Sequence, residues 1–504
     1  MSAVLVREAN VLDESEHPIL RAAGPGAALD LVAKGERLTL ERGTVLLQSR
    51  LPPSSVSLVL AGHIRMYTTS DDQRQLTTQL LTAPATFGDV EALANEYSVE
   101  HVEALTDVQT ITLPAPVYID FLRDHPAAAL AALSDLSARF CVTSRFDVAT
   151  LFDVSVRAAT LVLALLELFG QSVEDGERIR LPMTQADLAT HLGVNIRSVT
   201  RTLKDWKSRG LVSFRKGWLV VHEPQALEEL SQNLRQSYHP YGGAPLSEYF
   251  PSRPKGSGPE IHSLGADARE RLRENPVFER AQTASMNALL EGAELLTLDP
   301  KALLARSGDA SDHVDFLIDG HLRVFHHESR GREVTVKHLR APSSNGDIRM
   351  INGTRHGENA EALVPSRVVR VRSDRFWAFL ERERHAALTL VHDVARRCCM
   401  AKRHQASQLF NVDARIASLL LGYLEACGKA VDGGIQIRHP LTQAVIAGEL
   451  GVNIRSVNRT IQSWKESELL SLRKGWVIVH RPSRLAEIAG SLRITLRDRT
   501  DRRT

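Results

Sequence analysis

Two spacings of hydrophobic residues alternate along the chain and predict two kinds of element. Short apolar runs such as "VSLVLAG" and "VQTITL", separated by Gly, Pro and Asp, are typical of strands in a small β-roll or barrel, and they occupy roughly residues 24–122 and 281–380. Each region is followed by a stripe of mostly apolar residues three and four positions apart, formed by Leu133, Leu136, Phe140 and Thr143 and then by Val391, Val394, Cys398 and Ala401. So narrow a stripe predicts a long helix that pairs with another helix, while packing against its own β-region would produce the same pattern.

A third kind of segment follows each stripe, at roughly 155–235 and 413–490. It begins with an apolar helix and continues as helix, tight turn, helix and β-hairpin. In the first segment Thr184 is the expected N-cap of the helix before the turn, Gly193 permits the turn, and Asn195 caps the helix after it. The pattern therefore predicts a helix-turn-helix with a β-hairpin behind it.

The whole pattern occurs twice at a constant offset. The stretch "GVNIRSVTR" begins at Gly193 and "GVNIRSVNR" begins at Gly451, 258 positions later. The pairs "AGHIRMY" and "DGHLRVF", "FGD" and "NGD", and the two "RKGW" stretches are separated by the same distance. The chain is therefore predicted to be two copies of one unit of about 230 residues, which we call copy 1 and copy 2.

A chain of 504 residues is too long for one hydrophobic core, so several domains are expected. The predicted fold class is α+β, with a β-roll, a long helix and a winged helix-turn-helix in each copy. The expected boundaries are β-rolls at 1–125 and 263–384, long helices at 126–154 and 385–412, winged helix-turn-helix regions at 155–237 and 413–493, a linker rich in Pro, Gly and Ser at 238–262, and a basic tail at 494–504.

Composition narrows the function classes. The net charge is only +2, no apolar run approaches the roughly 20 residues of a membrane span, and the N-terminus turns acidic where a secretory signal would be apolar. We therefore expect a cytoplasmic protein with no membrane partner. The four cysteines have no CxxC spacing, which argues against a thiolate zinc site and leaves reduced, mostly buried thiols as the expectation. No phosphate loop or nucleophile elbow is present, so an enzyme is not expected.

A local cluster of basic residues indicates a nucleic-acid partner, although the net charge of the whole chain does not. Residues 180–221 hold eight basic and two acidic side chains. Val199 and Leu203 are expected to face the core, so Arg197 and Arg201 project from the opposite face of the second helix, where a guanidinium can read guanine in the major groove. A merely solvated basic surface is the alternative, but the same polar residues recur in copy 2. The predicted DNA-binding residues are Thr184, Asn195, Arg197, Ser198, Arg201, Arg215 and Lys216 in copy 1, and Thr442, Asn453, Arg455, Ser456, Arg459, Arg473 and Lys474 in copy 2.

Each copy resembles a full subunit of the cyclic-AMP receptor protein and FNR-type bacterial transcription regulators. The resemblance implies a β-roll sensor, a dimerisation helix and a winged helix-turn-helix that reads double-stranded DNA. Recognition helices of the family resemble "G.SRETVGR", whereas this chain has Ile196 and Arg197 at the Arg and Glu positions and Arg201 at the final Arg. Copy 2 has the equivalent Ile454, Arg455 and Arg459, so the family's usual half-site is not expected.

Members of this family normally bind two half-sites as two-fold homodimers. We therefore predict that the two copies form that dimer within one chain and bind a pseudo-palindromic operator. A dimer of chains, with four units, is the rival arrangement. An activator would also need RNA polymerase as a partner, and no motif marks a surface for it.

Nucleotide-binding members carry a cassette resembling "FGE", followed about ten residues later by an Arg that neutralises the cyclic phosphate. The candidate ligand-binding residues here are Gly88, Asp89, Gly346, Asp347 and Arg355. Copy 1 has Ser98 in the Arg slot, and copy 2 has His356 beside Arg355. Both pockets are therefore predicted to be degenerate, with no cofactor and no metal. Control by a cyclic nucleotide, haem or metal, and architectural DNA binding without sequence preference, are the alternatives.

Overall fold

The computed structural model describes residues 16–69, 75–149, 153–179, 184–215, 218–236, 259–310, 312–327, 333–354, 356–407, 409–438, 441–450, 452, 454–473 and 476–490. None of the helices in these ranges is long and apolar enough to cross a membrane.

Copy 1 begins with two short helices and a β-roll. The elements are α1 (Pro18–Ala23), α2 (Pro25–Val32), β1 (Glu36–Leu40), β2 (Val45–Leu47), β3 (Ser55–Ala61), β4 (His63–Thr69), β5 (Gln75–Thr82), β6 (Ala85–Phe87), α3 (Asp89–Ala94), β7 (His101–Ala104), β8 (Val108–Pro114) and α4 (Ala115–Asp124). The strands form two antiparallel four-stranded sheets, ordered β1-β8-β3-β6 and β2-β7-β4-β5. Apolar residues of both sheets, including Val59 and Met66, share one core. This is the predicted β-roll.

The rest of copy 1 is a long helix followed by a winged helix unit. The elements are α5 (Pro126–Ala149), α6 (Val154–Phe169), β9 (Gly170–Val173), β10 (Gly176–Ile179), α7 (Gln185–Leu192), α8 (Ile196–Ser208), β11 (Val212–Arg215), β12 (Trp218–Val221) and α9 (Pro224–Gln236). Pro126 is the first residue of α5, a position at which a missing N–H has no cost. The β11-β12 hairpin extends into a four-stranded sheet, β11-β12-β10-β9, whose second hairpin the hydrophobic pattern does not predict.

Copy 2 has the same order of elements after one additional strand, β13. They are β13 (Glu260–Ser263), α10 (Ala266–Leu272), α11 (Thr283–Leu289), β14 (Glu294–Leu298), β15 (Leu303–Ala305), β16 (His313–Asp319), β17 (His321–His327), β18 (Glu333–Arg340), β19 (Ser343–Asn345), α12 (Asp347–Ile351), β20 (Asn359–Ala362), β21 (Ser366–Arg372), α13 (Ser373–Arg382), α14 (Arg384–Ser407), α15 (Val412–Cys427), β22 (Gly428–Val431), β23 (Gly434–Ile437), α16 (Gln443–Leu450), α17 (Ile454–Glu466), β24 (Leu470–Arg473), β25 (Trp476–Val479) and α18 (Pro482–Ala489).

One part of the predicted linker is a strand. Residues 260–262 were expected within the linker, but they belong to β13, which pairs with β14 and gives copy 2 a five-stranded sheet, β13-β14-β21-β16-β19. Backbone hydrogen bonds to the edge of β14 hold this strand, while all four of its side chains are exposed, Ile261 by 61%. Since no face of β13 is buried, its sequence carries no apolar alternation.

The two long helices pack against each other. Leu133 and Leu136 of α5 and Val391 and Val394 of α14 are all fully buried in one cluster, which also contains β-roll residues of both copies. The Cys398 thiol lies 3.7 Å from the Leu136 carbonyl oxygen, so the two stripes meet directly. Both stripes therefore lie in one core with β-roll residues of the two copies. Burying a leucine contributes about 1.5–3 kcal/mol, so this shared core holds the two copies together.

Candidate nucleic-acid interface

The first helix of the helix-turn-helix in copy 1 begins with a capping box. Thr184 Oγ1 accepts a hydrogen bond from the Asp187 amide at 3.1 Å, and the Asp187 carboxylate accepts one from the Thr184 amide at 2.7 Å. Two of the unpaired amides at the start of α7 are thereby satisfied. In copy 2, Thr442 Oγ1 accepts from the Val445 amide at 3.1 Å. Both threonines are exposed, but their hydroxyls serve as caps.

The turn between α7 and α8 depends on a glycine. Gly193 has φ +61°, and a Cβ there would lie 2.9 Å from Leu76 Cδ1 of the β-roll. Another residue would be strained at this position and would also press on β5. Asn195 then caps α8, its side chain accepting from the Arg197 amide at 2.9 Å. In copy 2, Gly451 and Asn453 lie outside the described residues.

The second helix buries one face and exposes the other. Val199, Leu203 and Trp206 pack into the core of the winged unit, with Val199 and Trp206 fully buried. Arg197 and Arg201 are exposed, and Ser198 is half-buried at the edge between the two faces. The expected distribution of residues around this helix is therefore present.

Helix α17 of copy 2 has the same arrangement. Its buried face is made of Val457, Thr460, Ile461 and Trp464. Arg455 and Arg459 are exposed and Ser456 is half-buried. Both copies thus present two arginines from the first turns of the equivalent helix.

The exposed face of each recognition helix also carries an apolar residue that charge analysis overlooks. Ile196 is 47% exposed and Ile454 is 43% exposed, each at the first residue of its helix. The alignment of the two copies already shows an isoleucine at the equivalent position of each helix. The sequence alone could therefore have identified this pair. Their placement beside the arginines puts apolar surface on the same face.

The β-hairpin behind each recognition helix ends at the residues predicted to contact phosphate. Arg215 is the last residue of β11 and Arg473 the last of β24. Their side chains, together with Lys216 and Lys474, lie outside what the structure describes. Their role therefore stays a prediction.

The winged unit of copy 1 docks on its own β-roll. His191 of α7 is 7% exposed, and its Nδ1 lies 2.6 Å from Thr77 Oγ1 of β5. Burial lowers the pKa of His191 to about 4, and the nearby Arg65 guanidinium contributes in the same direction. The docked arrangement therefore holds a neutral imidazole.

The cassette of copy 1 is internally neutralised. Gly88 has φ +79° and its hypothetical Cβ would lie 2.6 Å from the Ser55 carbonyl oxygen, which accounts for this glycine without a ligand. Asp89 is 1% exposed and forms an ion pair with Arg139 of α5. Burial opposes the charge of Arg139, but the carboxylates of Asp135 and Asp89 outweigh it and raise the pKa of this guanidinium.

A lysine from copy 2 enters the same cassette. Lys402 of α14 places Nζ 2.9 Å from Glu91 Oε1 and 2.8 Å from Glu100 Oε2. Burial opposes its charge, but Glu100 and Glu91 outweigh burial and raise the pKa of Lys402. Ser98, in the slot of the family's arginine, is 4% exposed, and its hydroxyl donates to the Glu100 carbonyl oxygen at 3.0 Å. Glu91, Glu100 and Ser98 thus all have partners within the protein.

The cassette of copy 2 shares one ion pair with that of copy 1 and differs in the rest. Asp347 pairs with Arg397 of α14 at 2.9 Å, the equivalent of the pair in copy 1. Arg349 pairs with Glu358 at 2.7 Å, and a Cβ on Gly346 would lie 3.4 Å from the His356 ring. Arg355 lies outside the described residues. Among those described, no group of three or more His, Cys, Asp or Glu is placed to hold a metal ion.

Comparison with known protein families matches both halves of the chain. A Crp-like helix-turn-helix domain matches residues 157–230 and 414–488, and a cyclic nucleotide-binding domain matches residues 37–125 and 295–383. The matches alternate in the order of the two structural copies, so each copy contains one domain of each kind.

Curated relatives align with one copy each. The chain is similar to the global nitrogen regulator of Synechocystis, 27% identical over 195 residues that cover 38% of this chain and 86% of that protein. It is also similar to a CRP-like cAMP-activated global transcriptional regulator of Mycobacterium tuberculosis, 20% identical over 42% of this chain and 94% of that protein. A solved transcriptional regulator of the CRP/FNR family from Thermus thermophilus, 24% identical, covers 39% of this chain and 98% of its own length, with a TM-score of 0.34. The chain therefore belongs to the Crp/Fnr family of DNA-binding transcription regulators, with the family unit present twice in tandem.

Proposed function

We propose that one chain acts as an intramolecular pseudo-dimer and binds a single pseudo-palindromic operator through α8 and α17. The observation that carries this proposal is the packing of α5 on α14, which joins two complete units within one chain. Linkage gives the second unit a high effective concentration, so the pair should persist at dilution. We propose the domain boundaries given by the sequence, except that the linker ends before β13.

Sequence readout is assigned to the exposed face of each recognition helix. Arg197 and Arg201 can donate to guanine O6 and N7, and Ile196 can contact the methyl group of a thymine. Copy 2 offers the same groups but has Gln462 where copy 1 has the exposed Lys204, and Gln462 donates to Glu466 at 3.0 Å. We therefore expect an imperfect palindrome, bound more strongly through copy 1.

Control by a cyclic nucleotide is not part of the proposal. A cyclic phosphate entering copy 1 would meet the buried carboxylates of Glu91 and Glu100, and the Lys402 ammonium between them offsets only one of their two negative charges. Displacing Lys402 would leave like charges buried, which is strongly unfavourable. Titration calorimetry with cyclic AMP and cyclic GMP should give no heat of binding. Saturable binding, or an operator affinity that depends on nucleotide, would overturn this point.

Selection of bound sites from random duplexes tests the operator. We expect two half-sites about one helical turn, or 34–36 Å, apart, with guanine and thymine positions in each. Footprinting should show both half-sites protected together. Competition by random DNA at physiological salt separates this function from an architectural one, because specific binding exceeds non-specific binding by about 10³-fold or more. Equal competition would contradict sequence recognition.

The relatives are regulators rather than enzymes, and we propose the same for this chain. The proposed site of action is the cytoplasm, where the operator lies. RNA polymerase is a proposed partner only if binding activates transcription, which reporter fusions to a selected operator would measure.

A further inference from the structure

The charge cluster at the interface between the copies is asymmetric. In one half of the interface, Lys402 of copy 2 pairs with Glu91 and Glu100 of copy 1, and the three side chains are at most 5% exposed. The next residue, Arg403, pairs with Glu96 at 2.5 Å. Copy 1 therefore supplies the acids here and copy 2 supplies the bases.

In the other half of the interface, the described side chains at the equivalent positions pair differently. The positions 258 residues after Glu91 and Glu100 are Arg349 and Glu358, which pair with each other inside copy 2. Copy 1 presents the neutral Cys141 to this region, its thiol 3.3 Å from Asn352 Nδ2. The copy 1 position equivalent to Lys402 is a serine, Ser144.

These differences determine what pairing between like copies would bury. Two copies of the first kind would enclose Glu91 and Glu100 with serine, not lysine, at the facing position. Two copies of the second kind would bring Lys402 against Arg349 and Glu358, so two cations would share one carboxylate. Either arrangement buries like charges in a low-dielectric core, where removing one partner of an ion pair is strongly destabilising.

We propose that this charge pattern makes copy 1 and copy 2 select each other as partners and reject pairing between like copies. This inference rests on the pairing of copies in the proposed function. It adds the physical basis on which each copy selects its partner. Discrimination of this kind needs an unfavourable alternative as well as a favourable contact, and the interface has both. The selected partner is a unit of the opposite kind from this same chain.

Partner choice can be measured after cutting the linker. Full-length protein with a protease site within residues 241–258 and a C-terminal tag is folded and cleaved. It is then unfolded in urea with an excess of untagged cleaved protein, refolded, and captured by the tag. In the wild type, untagged copy 1 should exceed untagged copy 2 in the captured material by about tenfold or more.

Arg349→Glu is the decisive variant, because it leaves the Lys402 cluster intact and creates a second acidic partner for Lys402 in copy 2. It should raise captured untagged copy 2 several-fold. Lys34→Glu, the same change of charge at an exposed residue, should behave as the wild type. A statistical mixture in the wild type, or an unchanged ratio in Arg349→Glu, would overturn the proposal.

If the cleaved halves do not refold together, thermal unfolding of the uncleaved chain tests the charge pairing instead. Lys402→Glu should lower Tm by several degrees more than Lys34→Glu, and Glu91→Lys with Lys402→Glu should recover most of that loss. No recovery would refute the charge pairing. Operator binding by the uncleaved wild type is measured separately. If the copies show no partner choice but the protein still binds its operator, only this inference is refuted.

Discussion

Single side chains on α8 and α17 carry the sequence recognition proposed for this regulator. Arg201 and Arg459 are both exposed, each five residues after the start of its helix. An arginine forms two parallel hydrogen bonds to guanine, and each such pair contributes about 1–3 kcal/mol of discrimination. In the proposed role, these residues should affect specificity as well as affinity.

Replacing Arg201 or Arg459 with alanine should cost about 1–3 kcal/mol on the selected operator and relax the preference at one base pair. Fluorescence anisotropy with the operator and with single-base variants measures both effects. The exposed Arg269 of α10 offers a matched control, since Arg269→Ala makes the same change of charge on a β-roll. Equal losses on random DNA would show that the recognition arginines contact only phosphate.

His191 makes stability depend on pH. Its pKa is about 4 in the folded protein, against an ordinary value of 6.5, so the unfolded chain takes up the proton first. Above pH 6.5 the depressed pKa of His191 has no effect on the free energy of unfolding. As pH falls from 6.5 toward 4, the free energy of unfolding decreases by at most about 3 kcal/mol. Urea unfolding at several pH values should show this slope, and His191→Gln should flatten it. The exposed His262→Gln is the control, and a slope equal in both variants would exclude His191.

For single residues, the sequence predicts which face of α8 is exposed better than it predicts the partners of the cassette residues. Arg197 and Arg201 follow from the helical period, because Val199 and Leu203 fix which face is buried. The role of Lys402 does not follow, since its partners Glu91 and Glu100 lie about 300 positions away in another copy. Nothing local distinguishes a lysine at the end of a long helix from a solvated one.

Helices and strands depend on short-range chemistry that the sequence displays. Asn195 at the start of α8 and Thr184 at the start of α7 cap their helices as predicted. Strand β13 could not be predicted, because its exposed side chains have no apolar pattern and only its backbone pairs with β14. Elements that bury one face can thus be predicted from the sequence. A strand that is held only by backbone hydrogen bonds to the edge of a sheet cannot.

Asn195→Ala should destabilise the winged unit of copy 1 by about 1 kcal/mol, because the Arg197 amide loses its acceptor. Hydrogen exchange of the α8 amides measures this loss locally. Asn195→Ser should restore most of the protection, since serine is a comparable N-cap. If alanine and serine behave alike, the cap does not stabilise the recognition helix.

The whole molecule joins two family units through one shared core. Leu136 and Cys398 meet across α5 and α14, and Lys402 crosses from copy 2 into the cassette of copy 1. Sequence predicts this pairing from the repeat and the two stripes. It cannot predict the buried charge pairs between the copies, because Lys402, Glu91 and Glu100 come together only in the tertiary structure.

The most direct test is the mass of the protein bound to its selected operator, measured at nanomolar concentration by native mass spectrometry. The account predicts one chain on a duplex with two half-sites, and no cooperative second chain as concentration rises. Scrambling either half-site should weaken binding without changing that ratio. Two chains on each operator, or one chain that protects a single half-site only, would contradict it.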